Sequence, residues 1–129
     1  MSNKTIVLAT DHAGFELKES VKKFLLESNY KVKDFGAFTY ESTDDYPDFI
    51  NPAAKFISEN DNIMGIIFGG SGQGEAMAAN RFKGVRAAVF YDGPDEIIEL
   101  SRLHNNANIL SLGSRFITSE RAIELIKQW

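Results

Sequence analysis

Short apolar runs rich in β-branched residues alternate with longer amphipathic segments along the chain. The runs predict five strands, at residues 5–9, 30–35, 63–68, 86–90 and 109–112. After the first run, Leu17, Val21, Phe24 and Leu25 fall at positions i, i+4, i+7 and i+8. This spacing predicts a helix with one buried face, which Asn29 closes.

Four more helices are predicted from start and stop signals. Pro47 begins one that reaches about Glu59, although Pro52 is awkward in its interior. The third helix runs over residues 75–81, and the fourth begins at Pro94 and has an apolar face. The fifth follows Thr118, which is its N-cap.

Five alternations of strand and helix predict one α/β domain over residues 1–129, which is the usual size of a single domain. We expect a three-layer α/β/α sandwich with a five-stranded parallel sheet, Rossmann-like in form. Ligands of such sheets bind beyond the carboxyl ends of the strands. The residues that follow strands are Asp11 and His12, then 69–75, 91–92 and 113–115.

Composition and charge narrow the function. The net charge is −4 without a block of Lys or Arg, which argues against a nucleic-acid surface but leaves room for a local anion site. The absence of cysteine excludes disulfides, Cys-ligated zinc and thiolate catalysis. No signal peptide and no run of ~20 apolar residues is found, so we expect a cytoplasmic protein without a membrane segment.

The glycine-rich segment Gly69–Glu75 (GGSGQGE) lies between a predicted strand and a predicted helix. Its glycines let the backbone approach a ligand closely and turn N–H groups toward an oxyanion or phosphate. The segment does not match the known nucleotide-binding loops. A dinucleotide-binding loop would have Gly or Ala where this chain has Glu75, and a P-loop would have Gly-Lys where it has Glu75 and Ala76. A plain tight turn is the alternative, although four glycines in six positions favour an anion site.

Glu75 and two histidines are the candidate catalytic groups. A carboxylate at a helix start is usually a surface group, but after an anion-binding loop Glu75 can serve as a base next to a carbonyl. His12 follows the first strand and His104 closes the fourth helix, and we expect both at the ligand-facing edge. Either could instead be a cap or a solvated side chain. No third ligand stands at a recognisable metal spacing, so no metal is predicted.

Several motifs together resemble the type B ribose-5-phosphate isomerase family, which also includes allose- and galactose-6-phosphate isomerases. They are residues 10–18 (TDHAGFELK), 45–47 (DYP), 69–75 with 78–80 (AAN), and 104–108 (HNNAN) with 112–115 (LGSR). The resemblance covers essentially the whole chain. Many family members carry a catalytic cysteine at the position of Gly69. This chain resembles the subgroup that has glycine there and a glutamate at the position of Glu75.

The resemblance implies cofactor-free aldose–ketose isomerisation through an enediolate, a step of the pentose phosphate pathway. It implies that Glu75 moves a proton between C2 and C1 of the sugar. The Ser71 hydroxyl and the loop N–H groups of Gly72 to Gly74 would stabilise the oxyanion. Asp11 and His104 would help to open the sugar ring.

The resemblance also implies a substrate-binding set and an oligomer. His12 and Arg115 would hold the phosphate and Asn105 the sugar hydroxyls, and the set is completed by Tyr46, Gly70, Gly72, Gln73 and Gly74. The partners would be a phosphorylated sugar and further copies of the chain, in a homodimer or tetramer. The His104 segment would reach into the neighbour's site. Family members usually continue past Trp129 with a basic tail, so we expect Arg115 to hold the phosphate with less help, or Arg81 or Arg86 to replace it.

Three other functions remain open at this point. The substrate could be a hexose 6-phosphate, which pocket depth would decide. The chain could bind a sugar phosphate without turnover, although a pure binder does not need the base Glu75. The third possible function is nucleotide binding, which is disfavoured because the glycine loop does not match the known nucleotide-binding loops.

Overall fold

The computed structural model describes residues 5–129, which form one sheet of five parallel strands with helices on both faces. The strands are β1 (Thr5–Thr10), β2 (Lys31–Asp34), β3 (Ile63–Gly69), β4 (Ala87–Phe90) and β5 (Ile109–Gly113). The helices are α1 (Phe15–Glu27), α2 (Pro47–Glu59), α3 (Gln73–Ala79), α4 (Glu96–Leu103) and α5 (Ser119–Gln128). A short 3-10 helix, His12–Gly14, connects β1 to α1.

The strand order is β2-β1-β3-β5-β4, and every neighbouring pair is parallel. The chain leaves β1 toward one edge, to β2, and after β3 it continues toward the other edge. The direction of winding therefore reverses between β1 and β3, and this is the topological switch point at which such sheets bind ligands. The carboxyl ends that meet there are Thr10 and Gly69.

The core consists of two apolar layers, one on each face of the sheet. The first lies beneath α1, α4 and α5, and the second beneath α2 and α3. Successive residues of β1 alternate between them, with Ile6 and Leu8 in the first layer and Val7 and Ala9 in the second. Because both faces are covered, the central strands are apolar except for Thr5, Thr10 and Ser111. The predicted three-layer α/β/α fold is confirmed.

Local differences from the prediction are small and have physical causes. Helix α3 begins at Gln73, two residues earlier than predicted, because Gly72 has a φ of +81° and closes the turn as the N-cap residue. Helix α2 continues through Pro52. The 3-10 helix after β1 was not predicted; it is capped by the Asp11 carboxylate, which accepts a hydrogen bond from the N–H of Ala13 at 3.0 Å.

Between residues 5 and 129, none of the helices has the length and apolar character needed to cross a membrane.

Candidate active site

The glycine loop Gly69–Glu75 is fixed at the carboxyl end of β3 by hydrogen bonds from the end of β5. The Ser111 hydroxyl donates to the carbonyl of Gly72 at 2.7 Å, and the N–H of Ser114 donates to the carbonyl of Gly69 at 2.8 Å. The Ser114 Oγ also lies 2.8 Å from the carbonyl oxygens of both Gly69 and Ala13. These two serines were not predicted as site residues. Ser111 ties the loop to β5, and Ser114 connects it to the 3-10 helix that follows β1.

Glu75 turns its carboxylate back over Gly69. The side chain is buried, at 5% exposure, although it belongs to the first turn of α3. A Cβ built on Gly69 would overlap the carboxyl carbon and both carboxylate oxygens of Glu75. The carboxylate therefore occupies the space that any side chain at position 69 would fill. This overlap explains physically why a glutamate at this site requires a glycine six residues earlier.

Two buried carboxyl groups, those of Glu75 and Asp11, follow β3 and β1 at the switch point. Burial raises the pKa of Glu75, its own N–H partly opposes that rise, and the charge of Asp11 adds to it. The pKa of Asp11 is also raised, chiefly by burial, while its bond with Ala13 lowers it. A carboxylate with a raised pKa is a stronger base at neutral pH than an exposed one, which suits proton abstraction next to a carbonyl.

His12 is held by Asp44, which sequence reasoning missed. The Asp44 Oδ1 accepts a hydrogen bond from the N–H of His12 at 2.9 Å and lies 2.7 Å from its Nδ1. The ring also meets Tyr40 edge to face, with 6.0 Å between the ring centroids. The hydrogen bond with Asp44 raises the pKa of His12, although desolvation opposes the rise. Asp44 lies in a polar turn 32 residues from His12, and no spacing in the sequence connects the two.

A cavity of about 350 Å³ brings the two predicted phosphate ligands together. It is lined by His12, Ala13, Glu16, Tyr40 and Arg115. Arg115 is exposed, and its N–H donates to the carbonyl of Gly70 at 3.1 Å. Its guanidinium carbon lies 3.1 Å from the point where a Cβ on Gly70 would stand. The cavity thus opens beside the glycine loop.

The remaining loop residues lie as predicted at the same edge. Ser71 Oγ accepts a hydrogen bond from the N–H of Gln73 at 3.2 Å, and the Gln73 side chain is exposed. The hydroxyl of Tyr46, the residue before α2, lies against Gly74, where an added Cβ would be 3.1 Å away. Tyr46 and Ser71 therefore lie against the glycine loop that carries Glu75.

His104 and Asn105 do not join this site within one chain, and the prediction that both histidines lie at one edge is wrong. His104 is the C-cap of α4, and β5 begins five residues later. A connection from a helix into a parallel strand lies at the amino ends of the strands, opposite the glycine loop. The neighbouring Asn106 lines a cavity with Asn62 and Ile63, which lie at the start of β3.

A group of possible metal ligands occurs among the described residues, where the sequence spacing indicated none. Ligand atoms of Asp11, His12 and Asp44 lie within 4.8 Å of one another. The Nδ1 of His12 is already in a hydrogen bond with Asp44, so this atom is not presented to an ion. The prediction that no metal takes part therefore remains a prediction.

Fold and site together define a doubly wound α/β protein with a buried carboxylate over the first glycine of a glycine loop at the switch point. The family model described as Ribose/Galactose Isomerase matches residues 6–129, and the chain belongs to this family. The family resemblance found in the sequence is thus confirmed, and the subgroup with a glutamate base stays a prediction.

Relatives and solved structures match over most of their length. A ribose-5-phosphate isomerase B of Mycolicibacterium paratuberculosis is 40% identical over 121 residues, which are 94% of this chain and 75% of the relative. The crystal structure of ribose-5-phosphate isomerase B from Mycoplasma genitalium with bound ribulose 5-phosphate superposes with a TM-score of 0.92 at 36% identity, covering 99% and 84% of the two chains. A ribose 5-phosphate isomerase structure from Thermotoga maritima superposes with a TM-score of 0.90 at 41% identity. The match covers 98% of this chain and 85% of the other.

Proposed function

We propose that the protein isomerises ribose 5-phosphate to ribulose 5-phosphate, without a metal or an organic cofactor. The observation that carries the proposal is the buried Glu75 carboxylate, which lies over Gly69 at the switch point beside a cavity lined by His12 and Arg115. Relatives bearing the name of this activity, one of them with bound ribulose 5-phosphate, support the choice of substrate. The reaction belongs to the pentose phosphate pathway, and the cysteine-free composition fits the cytoplasmic location that we also propose.

The chemistry needs a base, donors at the developing oxyanion and a grip on the phosphate. Glu75 takes the proton from C2 of the open-chain aldose and returns it to C1, while the hydroxyl proton passes from O2 to O1. The Ser71 hydroxyl, which accepts the N–H of Gln73 and keeps its own proton to donate, stabilises the negative charge on the enediolate oxygen together with the loop N–H groups of Gly72 and Gly74. Asp11, buried beside Glu75, assists ring opening by proton transfer at the ring oxygen or the anomeric hydroxyl.

A direct assay tests the function. Purified protein incubated with ribose 5-phosphate should form ribulose 5-phosphate, detected by the absorbance of the ketose or through a coupled reaction. Allose 6-phosphate and galactose 6-phosphate are the comparison substrates, and we expect a lower kcat/KM for both. If a hexose 6-phosphate is converted to its ketose and ribose 5-phosphate is not, the substrate is that hexose phosphate. Binding of ribose 5-phosphate without turnover would overturn the enzymatic proposal.

Phosphate recognition is proposed to rest on Arg115 together with His12. A charge-assisted hydrogen bond contributes roughly 1.5–3 kcal/mol, so Arg115→Ala should raise KM by about 10- to 150-fold. The value of kcat should change much less if the phosphate is gripped equally through the reaction. Arg115→Lys should recover part of the loss, because Lys offers one point charge instead of a planar fork. Steady-state kinetics with ribose 5-phosphate measure all three effects.

The control for Arg115 is the pair of variants Arg81→Ala and Arg86→Ala. Arg86 donates to the carbonyls of Gly84 and Asn106, and it lines cavities away from the one that holds His12. We therefore expect an unchanged KM in Arg86→Ala. If KM is unchanged in Arg115→Ala and rises strongly in one of the control variants, phosphate binding belongs to the arginine replaced in that control.

We propose that the active form is at least a dimer and that its site combines two subunits. Within one chain, His104 and Asn105 lie at the edge of the sheet opposite Glu75. They can act in the reaction only if a neighbouring copy presents them to the site. Large apolar side chains are exposed near this segment and elsewhere, among them Leu103 and Met77, which are 69% and 66% exposed. Apolar surface of this kind is typical of subunit interfaces.

Mixing two inactive variants tests the shared site. Glu75→Gln and His104→Gln should each be nearly inactive alone. Co-refolded in equal amounts, they should regain about a quarter of wild-type activity, because half of randomly formed dimers are mixed and each mixed dimer has one intact site. Sedimentation at micromolar concentration should show a dimer or a larger species. A mixture as inactive as its components, or a fully active monomer, would contradict a shared site.

A further inference from the structure

The most informative contact outside the predicted site is that between His12 and Asp44. One carboxylate oxygen of Asp44, Oδ1, accepts two hydrogen bonds from His12. The backbone N–H donates at 2.9 Å and the ring Nδ1 at 2.7 Å. The other oxygen, Oδ2, is buried and makes no hydrogen bond within residues 5–129. The Asp44 side chain is 11% exposed and that of His12 28%. Among the residues that the structure describes, His12 alone donates hydrogen bonds to this carboxylate.

This contact determines which nitrogen of His12 can meet a ligand. Because Nδ1 donates to Asp44, Nε2 is the ring nitrogen left for the cavity that His12 lines with Arg115. The second bond, from the N–H of His12, fixes the backbone at the start of the 3-10 helix. The ring is held on another side by Tyr40. Three contacts thus orient one imidazole toward the cavity.

The same contact affects the charge of the ring. A carboxylate with one unpaired buried oxygen is stabilised most by a positive partner, and an imidazolium supplies that charge. The charged groups around His12 are Asp44, Asp11, Arg115 and Glu16, which lines the same cavity. Asp44 and Asp11 raise the pKa of His12, while desolvation and Arg115 lower it, and the net shift is upward.

We propose that Asp44 is a positioning residue for phosphate binding: its two hydrogen bonds with His12 orient the ring so that Nε2–H is the donor toward the phosphate, and its negative charge pairs with that ring. This rests on the proposed function, in which His12 contacts the phosphate of the substrate. Asp44 does not itself contact the substrate in this arrangement. Its effect should therefore appear in KM and in the titration of His12, with little change in kcat.

The test is the Asp44→Asn variant, which removes the charge while keeping an acceptor of nearly the same shape. Glu41→Gln is the matched control, because Glu41 is an exposed carboxylate in the same turn and loses the same charge. With only two histidines in the chain, His104→Gln assigns the two ring signals in NMR spectra. We expect His12 to titrate at a lower pH in Asp44→Asn than in wild type, and at an unchanged pH in Glu41→Gln.

The kinetic test uses the dependence of KM on pH. At pH 8, KM for ribose 5-phosphate should rise about 3- to 10-fold in Asp44→Asn, the range expected from losing one net hydrogen bond. At pH 6, where a larger share of the ring is protonated in both proteins than at pH 8, the ratio of the two KM values should lie closer to one. A purely structural role of Asp44 would give the same ratio at both pH values, and that result would overturn the proposal.

A readout without turnover separates this proposal from the proposed function. Inorganic phosphate should perturb the His12 ring signal of wild type, and at pH 8 its Kd should be weaker in Asp44→Asn by the same 3- to 10-fold. This result is expected even if the protein does not isomerise ribose 5-phosphate. An unchanged His12 titration in Asp44→Asn, or equal phosphate affinity of both proteins at pH 8, would overturn the role of Asp44 while leaving the isomerase proposal intact.

Discussion

Glu75→Gln should lower kcat for ribose 5-phosphate by at least about 10²- to 10⁴-fold, the contribution that a general base typically makes. Glutamine keeps the shape of the side chain and removes the proton acceptor. The carboxylate is buried over Gly69, so its replacement leaves water little access to act as a base in its place. KM should change little, because the phosphate is bound by other residues. Steady-state kinetics on the folded variant measure both constants.

The pH profile of the same enzyme provides the control. Burial raises the pKa of Glu75, so the acid limb of kcat in wild type should lie above the ordinary carboxyl range of about 4.3. Activity needs the ionised carboxylate, and it should therefore fall as the pH drops through that raised value. The residual activity of Glu75→Gln should lack this limb. Turnover near that of wild type, with the limb retained, would rule out Glu75 as the base.

Much of the fold could be predicted because hydrophobic periodicity and cap residues are local signals. All five strands and five helices were predicted within a few residues of their bounds, and Thr118 caps α5 as expected, by accepting a hydrogen bond from Arg121. The order of the strands was not predicted, because each strand–helix unit has the same pattern wherever it lies in the sheet. The sheet order, in turn, is what identifies the switch point between β1 and β3.

The site could be predicted in part, for reasons that differ between residues. The glycine loop and Glu75 are consecutive in sequence, so their proximity needed no knowledge of tertiary structure. Asp44 was missed because its contact with His12 depends on how the turn after β2 folds back onto the end of β1. The prediction that His104 lies at the ligand-facing edge was wrong. A residue between a helix and the following parallel strand lies at the amino edge of the sheet, which the predicted element order already implied.

The second large effect is expected from Gly69→Ala, which adds one methyl group in the space of the base. Gly69 is not in the left-handed region of φ, so the backbone accepts alanine without strain. The new Cβ would overlap the Glu75 carboxylate, which must then leave its buried position. We expect kcat to fall by about 10²- to 10⁴-fold, as in Glu75→Gln, since both changes remove the same positioned base.

The double variant decides whether the methyl group acts through Glu75. Because Gly69→Ala and Glu75→Gln disable one group, their effects should not add, and Gly69→Ala should lower the residual kcat of Glu75→Gln by less than about threefold. The control is Gly65→Ala in the same strand, where a new Cβ would lie 2.6 Å from the Cδ1 of Ile57 in the core. That variant should lose thermal stability and keep its kcat. Additive losses in the double variant, or wild-type kcat in Gly69→Ala, would show that the carboxylate does not need the space above Gly69.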